Sequence, residues 1–242
     1  MRPLLCEFHA HTTLSDGTLA PAELVDLYAA AGFDVLAITD HVCRASDELS
    51  GGARSVEAST YRDYLGLIEA EAERARRVYD LLVIPGVELT YEDDDPSRSA
   101  HALAVGLRSW TGLEDGLDAA LRRARAAGAA LIAAHPYTLR ETERAPRTTA
   151  RFSEERQWAR QVVDRFELCN RHDFFAWVAA ERLPIVATGD FHRSDHLATW
   201  KTLLPCAKEE QAVVSYLRSE RAVTLIRVES GPLSGREMVR AA

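Results

Sequence analysis

Nine short apolar runs, at 4–8, 35–39, 82–88, 102–107, 131–134, 165–169, 185–188, 202–204 and 223–227, alternate with amphipathic stretches along the chain. Runs this short suit strands, and helical periodicity between them is the pattern of repeated βα units. Between the first two, Pro21 suits a first helical position, Leu24, Leu27, Tyr28 and Ala31 share a face, and Gly32 can close a helix over 21–31. Tyr61, Tyr64, Leu65, Ile68, Ala72 and Ala75 mark a longer helix, and Thr60 with Asp63 resembles its capping box. Leu117, Leu121 and Ala124 before Gly128 mark another, and the segments around Trp177 and Tyr216 read as helical. No linker or repeat divides the 242 residues, so 1–242 is expected to form a single α/β domain. Two segments fit neither element, 44–59 and 140–151. They are either walls of a binding site or ordinary variable loops.

Several of the apolar runs carry a metal-competent side chain at one end. His9 and His11 lie one residue apart, and on an extended chain alternate side chains face the same side. Asp16 follows in Ser15-Asp16-Gly17, His41 follows the second run, and Glu88 ends the third. His101 begins the fourth, His135 follows the fifth, and Asp190 and His192 repeat the alternate spacing after the seventh. Six of the eight histidines therefore stand at run ends. Taken singly, each has a plain structural reading: a lone His is commonly hydrogen-bonded, and Asp16 can make a turn. His101 fits least well, because it starts its strand. Nine such groups at successive strand ends are hard to ascribe to chance, and α/β barrels place their chemistry at that rim.

Six imidazoles and three carboxylates without an obligatory thiolate suit zinc, manganese or iron. Nine donors exceed one ion's needs, so two or three divalent ions about 3.5–4 Å apart are expected. Such clusters turn water into hydroxide near neutral pH, which points to hydrolysis. The net charge of −8 argues against extended nucleic acid as a partner. No run approaches the roughly 20 apolar residues of a membrane helix, and the N-terminus lacks a signal-peptide pattern. Four scattered cysteines form no CxxC pair, which is the usage of a cytoplasmic protein with reduced thiols. Cys43, two residues after His41, reads as a bystander thiol.

The motifs His9-Ala10-His11, Ser15-Asp16-Gly17, Thr39-Asp40-His41, Pro85-Gly86-Val87-Glu88, His101, Ala134-His135-Pro136 and Gly189-Asp190-Phe191-His192 resemble those of the polymerase and histidinol phosphatase (PHP) family of metal-dependent phosphoesterases. The resemblance implies a distorted (β/α)7 barrel holding up to three metals. It implies that His9, His11, Glu88 and Asp190 surround one ion, and that Glu88 bridges to a second held by His101 and His135. Asp16, His41 and His192 would hold the third. Some members carry His where Asp16 stands. The implied reaction is hydrolysis of phosphate esters of a small phosphorylated metabolite or nucleotide by metal-activated hydroxide, with Glu88 and Asp190 acting through the cluster and no phosphoenzyme. Amide, carbamate or carboxylic ester hydrolysis, a nuclease acting on oligonucleotide ends, and a non-enzymatic metal-binding domain are the alternatives.

Around the ligands, Asp40 is expected either to orient a ligand histidine or to cap a turn. Arg193 is a candidate phosphate fork, with a solvated surface residue as its alternative. Arg140, with Arg144, Arg147 and Arg151, is a candidate phosphate clamp, although Glu141 and Glu143 offset it. Asn170, the only Asn, either lines the pocket or caps the next helix. His172 and His196 read as structural or surface residues, with His196 also a candidate for protonating a leaving group. Only a short acidic stretch separates Glu88 from His101, so specificity is expected to come from loops. The oligomeric state is not legible in the sequence.

Overall fold

The computed structural model describes residues 2–45, 47, 55–143 and 149–229, and the backbone of 237–239. One mixed sheet forms its centre. Its strands are β1 (Leu4–Glu7), β2 (Val35–Ile38), β3 (His41–Val42), β4 (Leu82–Tyr91), β5 (Ala100–Val105), β6 (Ala130–Ala134), β7 (Arg165–Asn170), β8 (Asp173–Phe174), β9 (Ile185–Thr188), β10 (Trp200–Leu204), β11 (Thr224–Arg227) and β12 (Glu237–Val239). The helices are α1 (Pro21–Ala30), α2 (Tyr61–Tyr79), α3 (Leu117–Ala126), α4 (Leu139–Thr142), α5 (Arg151–Glu154), α6 (Arg156–Val162), α7 (Ala176–Ala180) and α8 (Glu210–Leu217), with a 3-10 turn at Ser194–Leu197.

The spatial order is β12-β11-β10-β1-β2-β4-β5-β6-β7-β8, with β3 on β4 and β9 on β7. Every expected strand is present. β3, β8 and β12 escaped sequence reading because two or three residues carry no measurable period. The βα alternation also breaks. β4 reaches β5 without a helix, and β5 runs antiparallel to both β4 and β6. That reversal settles the position of His101. In an antiparallel strand the first residues lie at the same rim as the last residues of its parallel neighbours, and His101 pairs with Thr90 on one side and Ala134 on the other.

The sheet curls back on itself. Beyond β9, the Phe191 N–H donates to His9 O (3.0 Å) and the His11 N–H to Phe191 O (2.8 Å), a parallel bridge between Ala10 and Phe191. β9 also meets β10 through Thr202, whose Oγ1 accepts from the Ala187 N–H and donates to Ala187 O, both at 2.8 Å. Strands β1, β2 and β6 are buried throughout, as their continuous apolar character requires in a covered sheet. α2 lays Tyr61, Tyr64, Ile68 and Ala75 inward, and the Tyr64 hydroxyl donates to Gly86 O at 2.8 Å. Thr60 does begin α2, but its side chain makes no cap: it turns back to the Glu57 backbone, so the expected capping box is absent. No described helix is long and apolar enough to cross a membrane.

Under the rim lies a buried ion pair. Glu7 and Lys201, on adjacent strands, are both 0% exposed and meet at 2.8 Å. Lys201 also donates to Thr199 Oγ1 (2.7 Å) and His196 O (3.3 Å). Glu7 accepts from the backbone N–H groups of Phe8, His9 and Gly189 at 3.0–3.1 Å and from the Tyr28 hydroxyl at 3.1 Å. A Cβ at Gly189 would come within 2.5 Å of both Glu7 and Lys201, so only glycine lets that turn seat on the pair. Replacing Lys201 by Met leaves Glu7 buried without its cation and is expected to cost about 3–5 kcal/mol in urea unfolding. The double variant Glu7→Gln/Lys201→Met is expected to lose clearly less. Equal losses in the single and double variants would show that charge pairing is not what matters there.

Candidate metal centre

The strand ends bring all nine expected ligands to one rim. His9 and His11 follow β1 in extended conformation with ring centroids 5.1 Å apart, Glu88 projects from β4, and His41 pairs with it from β3. His135 and Asp190 take left-handed backbone conformations, φ +28° and +43°. Non-glycine residues held there cost of order 1–3 kcal/mol each and cluster at functional sites.

Glu88 is the hub. Its Oε2 lies 3.4 Å from His9 Nε2, 3.4 Å from His11 Nε2 and 2.9 Å from His41 Nδ1. Its Oε1 lies 3.2 Å from His101 Nδ1 and 3.1 Å from His135 Nε2. Asp190 Oδ1 stands 3.5 Å from His9 Nε2, 3.6 Å from His11 Nε2 and 3.2 Å from His192 Nδ1. Asp16 gathers His11 Nδ1 (3.6 Å), His41 Nε2 (3.4 Å) and His192 Nε2 (3.0 Å).

Three sets of donors lie close enough to share ions: His11, Asp16, His41 and His192; His9, His11 and Asp190; and His9, Glu88 and His135. The first matches the set expected for a third ion, with His11 added. His101 falls outside these sets, held between Glu88 and Glu92 (2.7 Å). The fit to cations rests on the centre itself. His9 Nε2, His11 Nε2 and Glu88 Oε2 are buried with no hydrogen-bond partner, an arrangement that is costly unless something positive sits among them.

The electrostatics agree. Burial alone would raise the Glu88 carboxyl, but His9, His41, His101 and His135 outweigh it and hold it well below the usual carboxylate range. Asp190 and Asp16 are lowered against burial in the same way, by His9 and by His192 and His41 respectively. Conversely, burial depresses the imidazoles, yet Glu88 and Asp16 carry His41 up to about 9, Glu88 and Glu92 carry His101 to about 10, and Asp16 and Asp190 carry His192 to about 9. His11, crowded by His41 and His192 as well as buried, is pushed well down.

A layer behind the ligands was mostly invisible in the sequence. Glu167, 0% exposed, accepts from His9 Nδ1 (2.9 Å), Thr188 Oγ1 (2.5 Å), the His135 N–H (2.6 Å) and Asn170 Nδ2 (2.8 Å). Its one available signal was a carboxylate inside an apolar strand, a rare placement unless it has partners. Asn170 is buried, and its Nδ2 holds Glu167 in place. Asp40 takes the second of its two expected roles, as the acceptor that caps a turn. It touches no histidine, but accepts from the Thr12 N–H (2.7 Å), Thr12 Oγ1 (2.9 Å) and Ser15 Oγ (2.6 Å), anchoring the loop that carries Asp16. Gly17 closes that loop, where a Cβ would fall 2.3 Å from His11 O.

Arg171, which no motif announced, reaches Asp190 Oδ2 (3.0 Å) and donates to Asp190 O (2.9 Å) and His192 Nδ1 (2.8 Å). Arg193 is exposed and forked onto Asp195 at 2.8 and 3.1 Å, and Arg140 is exposed on α4. Arg144 and Arg147 lie outside the described residues, and Arg151 pairs with Asp118 and Glu155. His172 is exposed. His196 is buried, accepts from the His192 N–H at 3.1 Å, and is lowered to about 4 by burial and Arg171, so it stays neutral. Burial pushes the Cys43 thiol up to about 12, which leaves it protonated beside the cluster.

Cation uptake by the donor sets competes with protons on His41 and His192, both carried up to about 9 by their carboxylate neighbours. Affinity for Zn²⁺ or Mn²⁺ is therefore expected to rise with pH up to about 9. More than one proton is expected to be released per chain at pH 7.5, read by calorimetry in buffers of different ionisation enthalpy. Uptake without proton release would contradict this electrostatic picture.

A family model for the PHP domain matches residues 7–167. A 3',5'-nucleoside bisphosphate phosphatase of Chromobacterium violaceum is 33% identical over 131 residues, 53% of this chain and 38% of that protein. An uncharacterized protein of Methanocaldococcus jannaschii is 34% identical over 86 residues, 35% of this chain and 33% of its own length. The chain thus aligns with little more than a third of these curated relatives. Among solved structures, a two-domain protein from Bacteroides vulgatus, described as containing a predicted PHP-like metal-dependent phosphoesterase, superposes with TM-score 0.64 at 22% identity, over 92% of this chain and 64% of that one. An amidohydrolase from Chromobacterium violaceum superposes with TM-score 0.51 at 17% identity, over 77% and 87%. With the family model spanning most of its length and the ligand motifs gathered at one rim, the chain belongs to the PHP domain family.

Proposed function

We propose that this protein hydrolyses phosphate esters of a small phosphorylated metabolite or nucleotide at a cluster of two or three divalent ions. The observation that carries the reading is the three unpartnered ligand atoms buried at the centre of nine converging His, Asp and Glu side chains. The family and the bisphosphate phosphatase relative supply the reaction class. Seven strands, β1, β2, β4, β5, β6, β7 and β9, are read as a distorted (β/α)7 barrel with its seam at Ala10 and Phe191, acting as one catalytic unit.

The donor set favours manganese, zinc or iron, since imidazole and carboxylate without thiolate suits all three. When bound, such ions lower the pKa of water and neutralise charge developing at phosphorus. The chain's own groups do the rest. Glu88 joins the donor sets, and Asp190 and Asp16 bound them on either side. Glu167 fixes His9 with Nδ1 outward, so that Nε2 points into the cluster. Arg171 holds Asp190 and His192 in register and places a guanidinium beside the cluster, where an incoming phosphate would meet it. Arg193 lies beyond His192 as a further cation once its fork to Asp195 opens. No nucleophilic Ser or Cys is needed.

Phosphate release from a panel of phosphomonoesters, nucleotides and short oligonucleotides, with protein loaded separately with Mn²⁺, Zn²⁺, Fe²⁺ and Mg²⁺, tests the reading. Glu88→Ala is expected to lower turnover by about 10³-fold or more, since the ions contribute several kcal/mol to the transition state. Undiminished activity in that variant would sink the proposal. Glu167→Gln is expected to retain the fold and lose about 10–100-fold in metal affinity or activity. Turnover confined to amides or carboxylic esters in the same panel would move the reaction from phosphorus to carbon.

A further inference from the structure

The sheet's other rim carries a second cavity of about 730 Å³, within the range of small-molecule pockets. It lies at the N-terminal ends of β7 and β9, lined by Arg165 and Ile185, the first residues of those strands. Asn170 ends β7 and Asp190 follows β9 by two residues at the metal-centre rim, so the two sites are about 17 Å apart along β7. Nothing in the hydrolytic reading uses this cavity.

Its charge contrasts with that of the whole chain. The protein carries a net charge of −8, yet Arg160, Arg165, Arg182 and Arg221 line this cavity with Glu220 as the lone carboxylate. Only Arg160 among these four has a carboxylate partner among the described residues, Glu181 at 2.5 Å. A smaller adjoining cavity of about 230 Å³ adds Arg218, and Arg125 paired with Asp164 at 2.8 Å. Clefts lined by one sign of charge concentrate ligands of the other.

Arg165 is the unusual member. It is 1% exposed, and its guanidinium donates only to backbone carbonyls: Leu217 (2.9 Å), Ile185 (3.0 Å), Tyr216 (3.1 Å), Ser219 (2.7 Å) and Arg221 (2.7 Å). Those bonds satisfy the end of α8 and fix the loop bearing Arg221, but they bring no full negative charge. Fully buried guanidinium groups ordinarily have an anionic partner. At the lip, Arg182 is exposed and held at φ +52°, a conformation a non-glycine residue keeps only when its surroundings impose it. The cavity is also lined by Leu168, Val178, Leu183, Ile185 and Val223.

We infer that this cavity is a second ligand site, taking a small molecule that presents a phosphate or diphosphate to Arg182, Arg221 and the charge of Arg165 and lays an apolar body against Leu168, Val178 and Val223. The site is separate from the hydrolytic centre and stands independently of it.

The metal-loaded full-length protein is titrated calorimetrically with methylenediphosphonate and with adenosine 5'-(α,β-methylene)diphosphate, which resist hydrolysis. Because the metal centre can also take a phosphonate, the readout is the difference between the parent and Arg182→Gln/Arg221→Gln, a pair of exposed residues outside the hydrolytic machinery. The variant is expected to bind one equivalent fewer, or about tenfold or more weaker at one site. Its melting temperature and p-nitrophenyl phosphate turnover are expected to match the parent's. Identical stoichiometry and affinity in the two proteins would overturn the site. The nucleoside compound is expected to bind this site more tightly than the bare diphosphonate; equal affinities would overturn the apolar half of the assignment.

Discussion

Glu88 is wholly buried, and its two oxygens face five imidazoles from the rim ends of β3, β5 and β6 and the segment after β1. A carboxylate in such a place costs several kcal/mol unless positive charge surrounds it, and removing its partners would cost more than the pair ever contributed. Much of the rim follows from that constraint. The strands must end at one level, the histidines must point inward, and the groups behind them must keep their other nitrogens engaged. His9, His41 and His101, raised against burial by the carboxylates they face, meet that need in part, and divalent ions would supply the same compensation on binding.

Holding so many like groups together requires support from outside the cluster. Glu167 ties His9 to the His135 backbone and is itself steadied by Asn170 and Thr188. Asp40 pins the loop of Asp16, and the Glu7–Lys201 pair seats the turn before Asp190. Each support is buried, where hydrogen bonds to charged groups are strong and few alternative arrangements exist. The left-handed backbone at His135, Asp190 and Arg171 is the strained counterpart of this rigidity. A hydrolytic centre gains from such fixing, because ligands already in place need little reorganisation when ions and substrate arrive.

Much of the site was legible because its ligands sit in short motifs whose spacing carries geometry: alternate residues after a strand face one way, as His9 with His11 and Asp190 with His192 show. The groups that escaped are those whose meaning depends on a distant neighbour. Glu167 is one carboxylate in an apolar strand until His9 comes within 2.9 Å, 158 residues away in sequence. Arg171 is a turn residue until it meets Asp190. Asn170 and Asp40 were noticed, but as neighbours of ligands; their partners, Glu167 for Asn170 and the Thr12 N–H with the Thr12 and Ser15 hydroxyls for Asp40, depend on side-chain directions that no local pattern encodes.

The amino-acid sequence by itself determined the alternation of strands and helices, the nine ligand candidates and their family, since each rests on local periodicity or motif spacing. The folded chain alone decided that β5 runs antiparallel, that His101 thereby joins the rim, and that Glu167 and Arg171 stand behind the ligands. It also decided that a cluster of arginines meets at the opposite end of the same strands. These are outcomes of strand order and direction, set by which faces pack together across the whole sheet. A change of one strand's direction exchanges its two ends without altering a single local pattern.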